Sequence, residues 1–180
     1  MSRLPNGLAY EPNLLSSSEE AQLLHVLDAL EFQEIRMRGQ VARRTALHYG
    51  IAYDYDNPGR VDPGEPFPDW LLPVRDRCAG VAGVEPAELV EGLVQRYPAG
   101  ATIGWHRDAP QFGHVVGVSL GGACRLRLRH IRDHDQLAEL TLEPRSAYLL
   151  SGAARWQWQH SIPPAKELRY SITFRTLRRR

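Results

Sequence analysis

The residues of this sequence best placed to do chemistry are His106, Asp108 and His160, followed by Arg169 and Arg175. His106 and Asp108 fall in Thr102-Ile103-Gly104-Trp105-His106-Arg107-Asp108, a β-branched and aromatic run between Gly100 and Pro110 that predicts a strand over 102–108. Residues two apart on a strand share a face, so the imidazole and the carboxylate project side by side. With a second imidazole they make the two-histidine, one-carboxylate set that holds non-haem Fe(II) on one face and leaves positions open. His160 follows 54 positions after His106, room for several strands and a return. The other histidines are His25, His48, His114, His130 and His134; the last two, among Asp133 and Asp135, read as a polar turn. A different divalent metal, or a core histidine at 160, is the plainer alternative. In Arg169-Tyr170-Ser171-Ile172-Thr173-Phe174-Arg175 the alternation puts Arg169, Ser171, Thr173 and Arg175 on one strand face and Tyr170, Ile172 and Phe174 on the other.

Taken with Leu93-Val94-Gln95-Arg96-Tyr97-Pro98-Ala99-Gly100 upstream, these motifs resemble the AlkB family of iron- and 2-oxoglutarate-dependent dioxygenases, which oxidatively dealkylate nucleobases. The resemblance covers about residues 89 to 177. It implies Fe(II) on His106, Asp108 and His160, with 2-oxoglutarate and O2 as cosubstrates. It further implies Arg169 on the remote carboxylate of 2-oxoglutarate, Arg175 nearer the metal, and Gln95, Tyr97 and Ser171 lining the same site. Six residues at about 3.3 Å each separate the two arginine backbones by roughly 20 Å, a gap their side chains close to leave room for a five-carbon diacid. The reaction so implied is decarboxylation of 2-oxoglutarate to succinate and CO2, coupled to hydroxylation of an N-alkyl carbon that then leaves as aldehyde. Two residues depart from the family pattern. Gln95 stands where better-known members have Asn, and Pro110 stands where the founding repair enzyme has an acidic residue against the base edge, so no base preference is carried over.

These residues need a scaffold. From Leu89 the pattern is strand after strand, at 89–97, 102–108, 115–120, 124–130, 138–142, 146–150, 156–162 and 168–176. Eight short strands with Gly, Pro and Asp turns predict an antiparallel double-stranded β-helix, or jelly roll. The overlapping capping boxes of Ser16-Ser17-Ser18-Glu19-Glu20 and the spacing of Leu23, Val26, Leu27 and Leu30 predict a helix within 13–30. A second is expected at about 69–82, with Pro73 in its first turn and Val74, Cys78 and Val81 inside. The fold class is α+β, with N-terminal helices buttressing one sheet of the jelly roll. The chain is taken as one domain over 1–180, with helices and a substrate lid in 1–88 and the catalytic core in 89–177.

Gly39-Gln40 splits a hairpin carrying Arg36, Arg38, Arg43 and Arg44, and a further strand holds Tyr49, Tyr53 and Tyr55 on one face. Arginines beside exposed aromatics suit nucleic acid, whose phosphates attract cations and whose unpaired bases stack. In the family a nucleotide-recognition lid lies here, which the run Arg44-Thr45-Ala46 to Tyr49-Gly50 resembles. The plain reading is an amphipathic hairpin with solvated arginines and tyrosines on the core. Trp105 is expected in the core. Arg125, Arg127 and Arg129 alternate on one exposed face, either a soluble surface or a track for a nucleic-acid backbone.

The remaining composition sets bounds. Residues 1–90 carry 8 Arg against 14 Asp and Glu, whereas residues 91–180 carry 14 Lys and Arg against 7, and the single lysine is Lys166. The positive charge is therefore guanidinium, suited to bidentate phosphate contacts. Cys78 and Cys124 stand in unlike contexts and suggest no disulfide framework. No apolar run approaches a membrane span, and Met1 to Asn6 has no signal-peptide core, so a monomer in the cytoplasm with no membrane partner is expected. The partner so predicted is single-stranded nucleic acid or a flipped-out base, in DNA or RNA. The rival functions are the same oxygenase chemistry on a protein side chain or small molecule, and a non-catalytic metal-binding module.

Overall fold

The computed structural model describes residues 4–37, 39–53 and 61–179. Arg38 and Tyr55, two of the expected substrate contacts, lie outside the described residues, and Tyr53 is described by its backbone alone. In chain order the elements are β1 (Leu8–Glu11), α1 (Ser17–Asp28), β2 (Gln33–Met37), β3 (Gln40–Tyr53), β4 (Val61–Pro63), α2 (Leu72–Ala82), β5 (Leu89–Tyr97), β6 (Ile103–His106), β7 (Phe112–Gly121), β8 (Cys124–His130), β9 (Leu137–Leu142), β10 (Ala147–Leu150), α3 (Gly152–Trp156), β11 (Trp158–Ile162) and β12 (Arg169–Leu177).

Two antiparallel sheets face each other. The larger runs β1-β10-β7-β12-β5-β3-β2, with β4 beside β3, and the smaller runs β6-β11-β8-β9. This is the jelly roll, and β12 is its central strand, paired with β5 on one side and β7 on the other. Helices α1 and α2 lie on the outer face of the larger sheet. Ser16 caps α1 through a box with Glu19, whose backbone N–H donates to Ser16 Oγ while Glu19 Oε2 accepts from Ser16 N–H. Pro73 sits in the first turn of α2, where its missing N–H is no loss. Leu23, Leu27, Val74 and Cys78 then bury against Val116, Val118, Tyr170, Ile172 and Phe174. A second apolar cluster, including Val115, Leu126, Leu128, Leu142 and Ile162, fills the space between the sheets.

The observed elements differ from the expected ones in places that bear on the site. The strand expected over 102–108 ends at His106, so Asp108 sits in the loop that follows it. Residues 41–45 and 47–53 form one long strand rather than two, because β3 pairs along β5 from Thr45↔Arg96 to Gly50↔Glu91 while its first half pairs with β2. Residues 152–156 coil into α3 before β11 begins. β1, which carries no strong strand signal of its own, is held at the sheet edge by β10. Trp105 is not in the core. It lies on the outer side of the smaller sheet, with the guanidinium groups of Arg127 and Arg129 over its ring at 5.2 and 4.5 Å. An indole is large and tolerates a cation on its face, so a half-buried outer position serves it.

Candidate active site

The inner face of the larger sheet reads across three strands. Register places Arg169 between Tyr97 and Gly121, Ser171 between Gln95 and Ser119, and Arg175 between Glu91 and Val115. One strand period thus divides β12: Tyr170, Ile172 and Phe174 face the helices, while Arg169, Ser171, Thr173 and Arg175 face the smaller sheet.

At one end of this face stand His106, Asp108 and His160, with one ligand atom from each lying within 4.8 Å of the others. His106 and His160 are direct cross-strand partners on β6 and β11, their rings 4.3 Å apart. His106 Nδ1 donates to the Gly104 carbonyl at 2.8 Å, which fixes the proton there and leaves the Nε2 lone pair for a metal. Burial lowers the His160 imidazole to about 4 against the pull of Asp108, so it is neutral at physiological pH. Burial alone would raise the Asp108 carboxyl, but the Arg175 guanidinium overrides it and holds the group well below the usual carboxylate range.

The two oxygens of Asp108 are used differently. Oδ1 accepts from Arg175 Nε and Nη2 at 2.8 and 2.7 Å. Oδ2 is buried, has no hydrogen-bond partner among the described residues, and lies 3.5 Å from His160 Nε2. A buried carboxylate oxygen left open beside two imidazoles fits a divalent cation. These three residues could therefore hold the metal, with Asp108 offering one oxygen. Arg175 is itself flanked by a second acid, Glu91, at 2.6 Å. Burial would weaken its proton, yet Glu91 and Asp108 together raise it above the ordinary guanidinium value.

The other end of the face is a cation without an anion among the described residues. Arg169 is 1% exposed; its Nη2 donates to Ser119 Oγ at 3.1 Å, while Nε and Nη1 are buried with no partner among the described residues. Its guanidinium lies over the Tyr97 ring at 4.7 Å, and Tyr97 in turn donates to Gln95 Oε1 at 3.1 Å. Two orphaned donors on a fully buried guanidinium fit a carboxylate from a bound molecule. Between the two ends the Tyr148 ring crosses Gly117, where a Cβ would come within 2.5 Å of Cε1, so only glycine lets the phenol lie on this face.

The expected substrate contacts among the described residues have varied surroundings. Arg36 pairs with Glu34 on its own strand, both exposed. Arg43 is exposed and lies so close over Gly100 that a Cβ there would meet its Nη1 at 2.6 Å. Arg44 is buried and donates to the Thr102 carbonyl at 3.2 Å, tying the hairpin to the segment before β6. Tyr49 packs edge-on to Trp70, with ring centroids 6.2 Å apart, against the core under the helices. In the arginine stripe of β8, Arg125 meets Glu139, Arg127 donates to Ser161 Oγ, and Arg129 donates to Gln159 Oε1.

Sequence reasoning missed Glu91, Ser119, Tyr148 and Arg155. A signal exists for Glu91, an acid at the period-two position of Gln95 and Tyr97 inside an apolar strand. Arg155 carries none: it is 2% exposed and donates to the carbonyls of Ala109, Phe112 and Gly113, more than forty residues away in sequence.

A family model described as the 2OG-Fe(II) oxygenase superfamily matches residues 7–175. The chain belongs to this superfamily. Among curated relatives of this 2OG-Fe(II) oxygenase, the tRNA (carboxymethyluridine(34)-5-O)-methyltransferase alkbh8 of Xenopus tropicalis is 26% identical over 171 residues, covering 91% of this chain and 26% of that protein. The alkylated DNA repair protein ALKBH8 homolog of Arabidopsis thaliana is 28% identical over 187 aligned residues, covering 89% and 51%. The alpha-ketoglutarate-dependent dioxygenase AlkB of Escherichia coli is 27% identical over 142 residues, covering 73% and 65%. The oxygenase chain thus spans about a quarter to two thirds of these proteins. The solved structure of OsALKBH1 shares its fold, with a TM-score of 0.73 at 16% identity over 97% of this chain and 100% of that one. Among the described residues no helix is long and apolar enough to cross a membrane.

Proposed function

We propose that this chain is an Fe(II)- and 2-oxoglutarate-dependent dioxygenase that removes alkyl groups from nucleobases in DNA or RNA, acting on single strands or flipped-out bases. It works as a monomer in the cytoplasm, as one catalytic domain whose β2–β3 hairpin serves as the substrate lid. The observation that carries the reading is the pairing of two unmet needs on one buried face. Asp108 Oδ2 lacks a cation at one end, and Arg169 lacks an anion at the other.

In this reading His106, Asp108 and His160 hold Fe(II), which with 2-oxoglutarate and O2 supplies the oxidising chemistry. Everything else is positioning by the protein. Arg169 fixes the remote carboxylate, Tyr97 closes the apolar side of its guanidinium, and Gln95 and Ser171 border the same cleft. Arg175 keeps Asp108 ionised and turned so that only Oδ2 faces the histidines. The names of the relatives support a nucleic-acid substrate, one through tRNA and another through alkylated DNA, which is why the polymer stays open. Extruding a base from a duplex costs a few kcal/mol, so unpaired bases are favoured.

The test is incubation with Fe(II), ascorbate, 2-oxoglutarate and a panel of methylated and etheno-adducted DNA and RNA oligonucleotides, read by mass spectrometry. Loss of the adduct with matching succinate is expected. Succinate formed without change in any oligonucleotide, alongside a hydroxylated protein or small molecule, would overturn the nucleic-acid reading and leave the oxygenase chemistry standing.

A further inference from the structure

A cavity of about 300 Å³ opens beside Asp108, lined by Arg107, Asp108, Ala109, Pro110, Arg155 and Trp156. Two guanidinium groups, Arg107 and Arg155, line it beside the Trp156 indole, and a third, Arg178, stacks on the same indole from the neighbouring hollow. Arg155 lies over the Trp156 ring at 4.2 Å and Arg178 lies over it at 4.7 Å. Arg107 Nη1 donates to the Trp156 backbone carbonyl at 3.1 Å, and the Arg178 backbone N–H donates to the Gln111 carbonyl at 2.7 Å, which pins the last segment after β12 to the loop below the cavity.

Three cations are gathered here without a dedicated counter-ion. Among the described residues no carboxylate forms an ion pair with Arg107, Arg155 or Arg178, and the one acid lining the cavity, Asp108, is paired with Arg175. Arg155 spends Nε and Nη2 on three loop carbonyls, and its Nη1 makes no hydrogen bond among the described residues. Burial first, then repulsion from Arg175, Arg107 and Arg178, lowers its proton affinity, with Asp108 opposing. Like charges held together in this way are stabilised by a bound anion. The guanidinium plane suits a tetrahedral oxyanion met by two parallel N–H groups.

We propose that Arg107, Arg155 and Arg178, ordered around Trp156, bind a backbone phosphodiester of the nucleic-acid substrate and so set the reacting nucleotide against the metal site. The inference rests on the nucleic-acid reading above and names the part of the surface that grips the strand. It adds to the β2–β3 lid, whose Arg36 is paired with its own neighbour, a second grip at the loop around Asp108 and the segment after β12. Phosphate contacts of this kind fix register and orientation without reading sequence. A rim that touches both the cavity and the ligand loop does this next to the reacting position.

The experiment leaves Arg155 intact because it holds the loop, and uses the exposed pair. Single-stranded oligonucleotide binding is measured against salt for the wild-type protein, for R107Q/R178Q and for R107K/R178K, with R75Q as a control on the far helix. Each variant is checked for a wild-type thermal transition. The same strand is also used with uncharged methylphosphonate linkages. For R107Q/R178Q we expect affinity to fall about tenfold or more on the natural strand and the slope of log K against log salt to flatten by about 0.7 for each phosphate that is no longer neutralised. R107K/R178K should keep most of the slope, R75Q all of it, and the methylphosphonate strand should bind wild type and R107Q/R178Q alike. An unchanged slope in R107Q/R178Q, with wild-type protein still binding and repairing the strand, would overturn this inference alone. Equal losses on charged and uncharged strands would do the same. If the wild-type protein binds no oligonucleotide even at low salt, the nucleic-acid reading fails and this inference with it.

Discussion

The inner face of β12 and strand β2 both present arginines, yet they use them in opposite ways. On β12 the side chains are buried, and each guanidinium either meets an acid, as Arg175 does, or is held ready for one, as Arg169 is. On the hairpin the Arg36 side chain is 72% exposed and its partner Glu34 is two residues away on the same strand. An arginine therefore carries functional information through its desolvation and its missing partner, not through its presence on a strand. A buried cation left half satisfied is expensive, and a fold that keeps one has a use for it. A solvated ion pair contributes ~0–1 kcal/mol and marks little beyond solubility.

The contrast is tested most sharply at the metal. His106→Ala, Asp108→Ala and His160→Ala should each reduce succinate formation to background while circular dichroism shows a folded protein. Wild-type turnover in any of them would remove that residue from the ligand set. Next comes Arg175→Leu, which leaves Glu91 and Asp108 as buried acids without their cation. We expect about 3–5 kcal/mol of lost stability in urea unfolding, and no loss would mean that water already serves those acids. Arg169→Leu should behave in the opposite sense. Removing an orphaned cation should stabilise the ligand-free protein by ~1–3 kcal/mol, while 2-oxoglutarate affinity in anaerobic titrations drops about a hundredfold. Destabilisation together with unchanged affinity would show that Arg169 serves the fold alone.

A smaller effect follows from His160, whose proton affinity falls from the ordinary 6.5 to about 4 on folding. A group so lowered favours folding when it is neutral. Its contribution is present above pH 6.5 and is lost as pH falls through the window from 6.5 to about 4. The chelator-treated protein should show that loss in its urea midpoint, and His160→Gln should remove it. The smallest effect belongs to the hairpin: Arg36→Ala should change stability by no more than about 0.5 kcal/mol. A larger change would mean that the exposed pair has a structural role.

The residues that can be read from sequence are those whose spacing follows one element. The alternation of β12 divides its two faces without knowledge of any partner strand. The capping box of α1 and the proline of α2 are equally local. His106, Asp108 and His160 are legible as a set because their types belong to one kind of chemistry, although Asp108 reaches its place from a loop rather than from the strand expected over 102–108. What the sequence conceals is register. Glu91 becomes a partner of Arg175 only when β5 lies against β12, and Ser119 a partner of Arg169 only when β7 lies on the other side. Trp105 shows the same limit: hydrophobicity suggests the core, but the side of the smaller sheet on which the ring falls is set by the pairing of β6 with β11. Tyr49 is an aromatic on a strand by sequence, and only the packing of Trp70 shows which way it faces.

The seam between β6 and β11 has a consequence of another kind. β6 is a four-residue edge strand whose Cα partners on β11 are Ile103↔Ile162 and His106↔His160, with the register broken between them. A strand held so sparingly frays in isolation, since stability is not uniform across a fold. An ion held by His106 and His160 would be a rivet through that seam and would tie the edge to its neighbour. Withdrawing the ion should therefore be felt locally before it is felt globally. Amide hydrogens of residues 103–106 should exchange faster, while those of β5, β7 and β12 keep their protection.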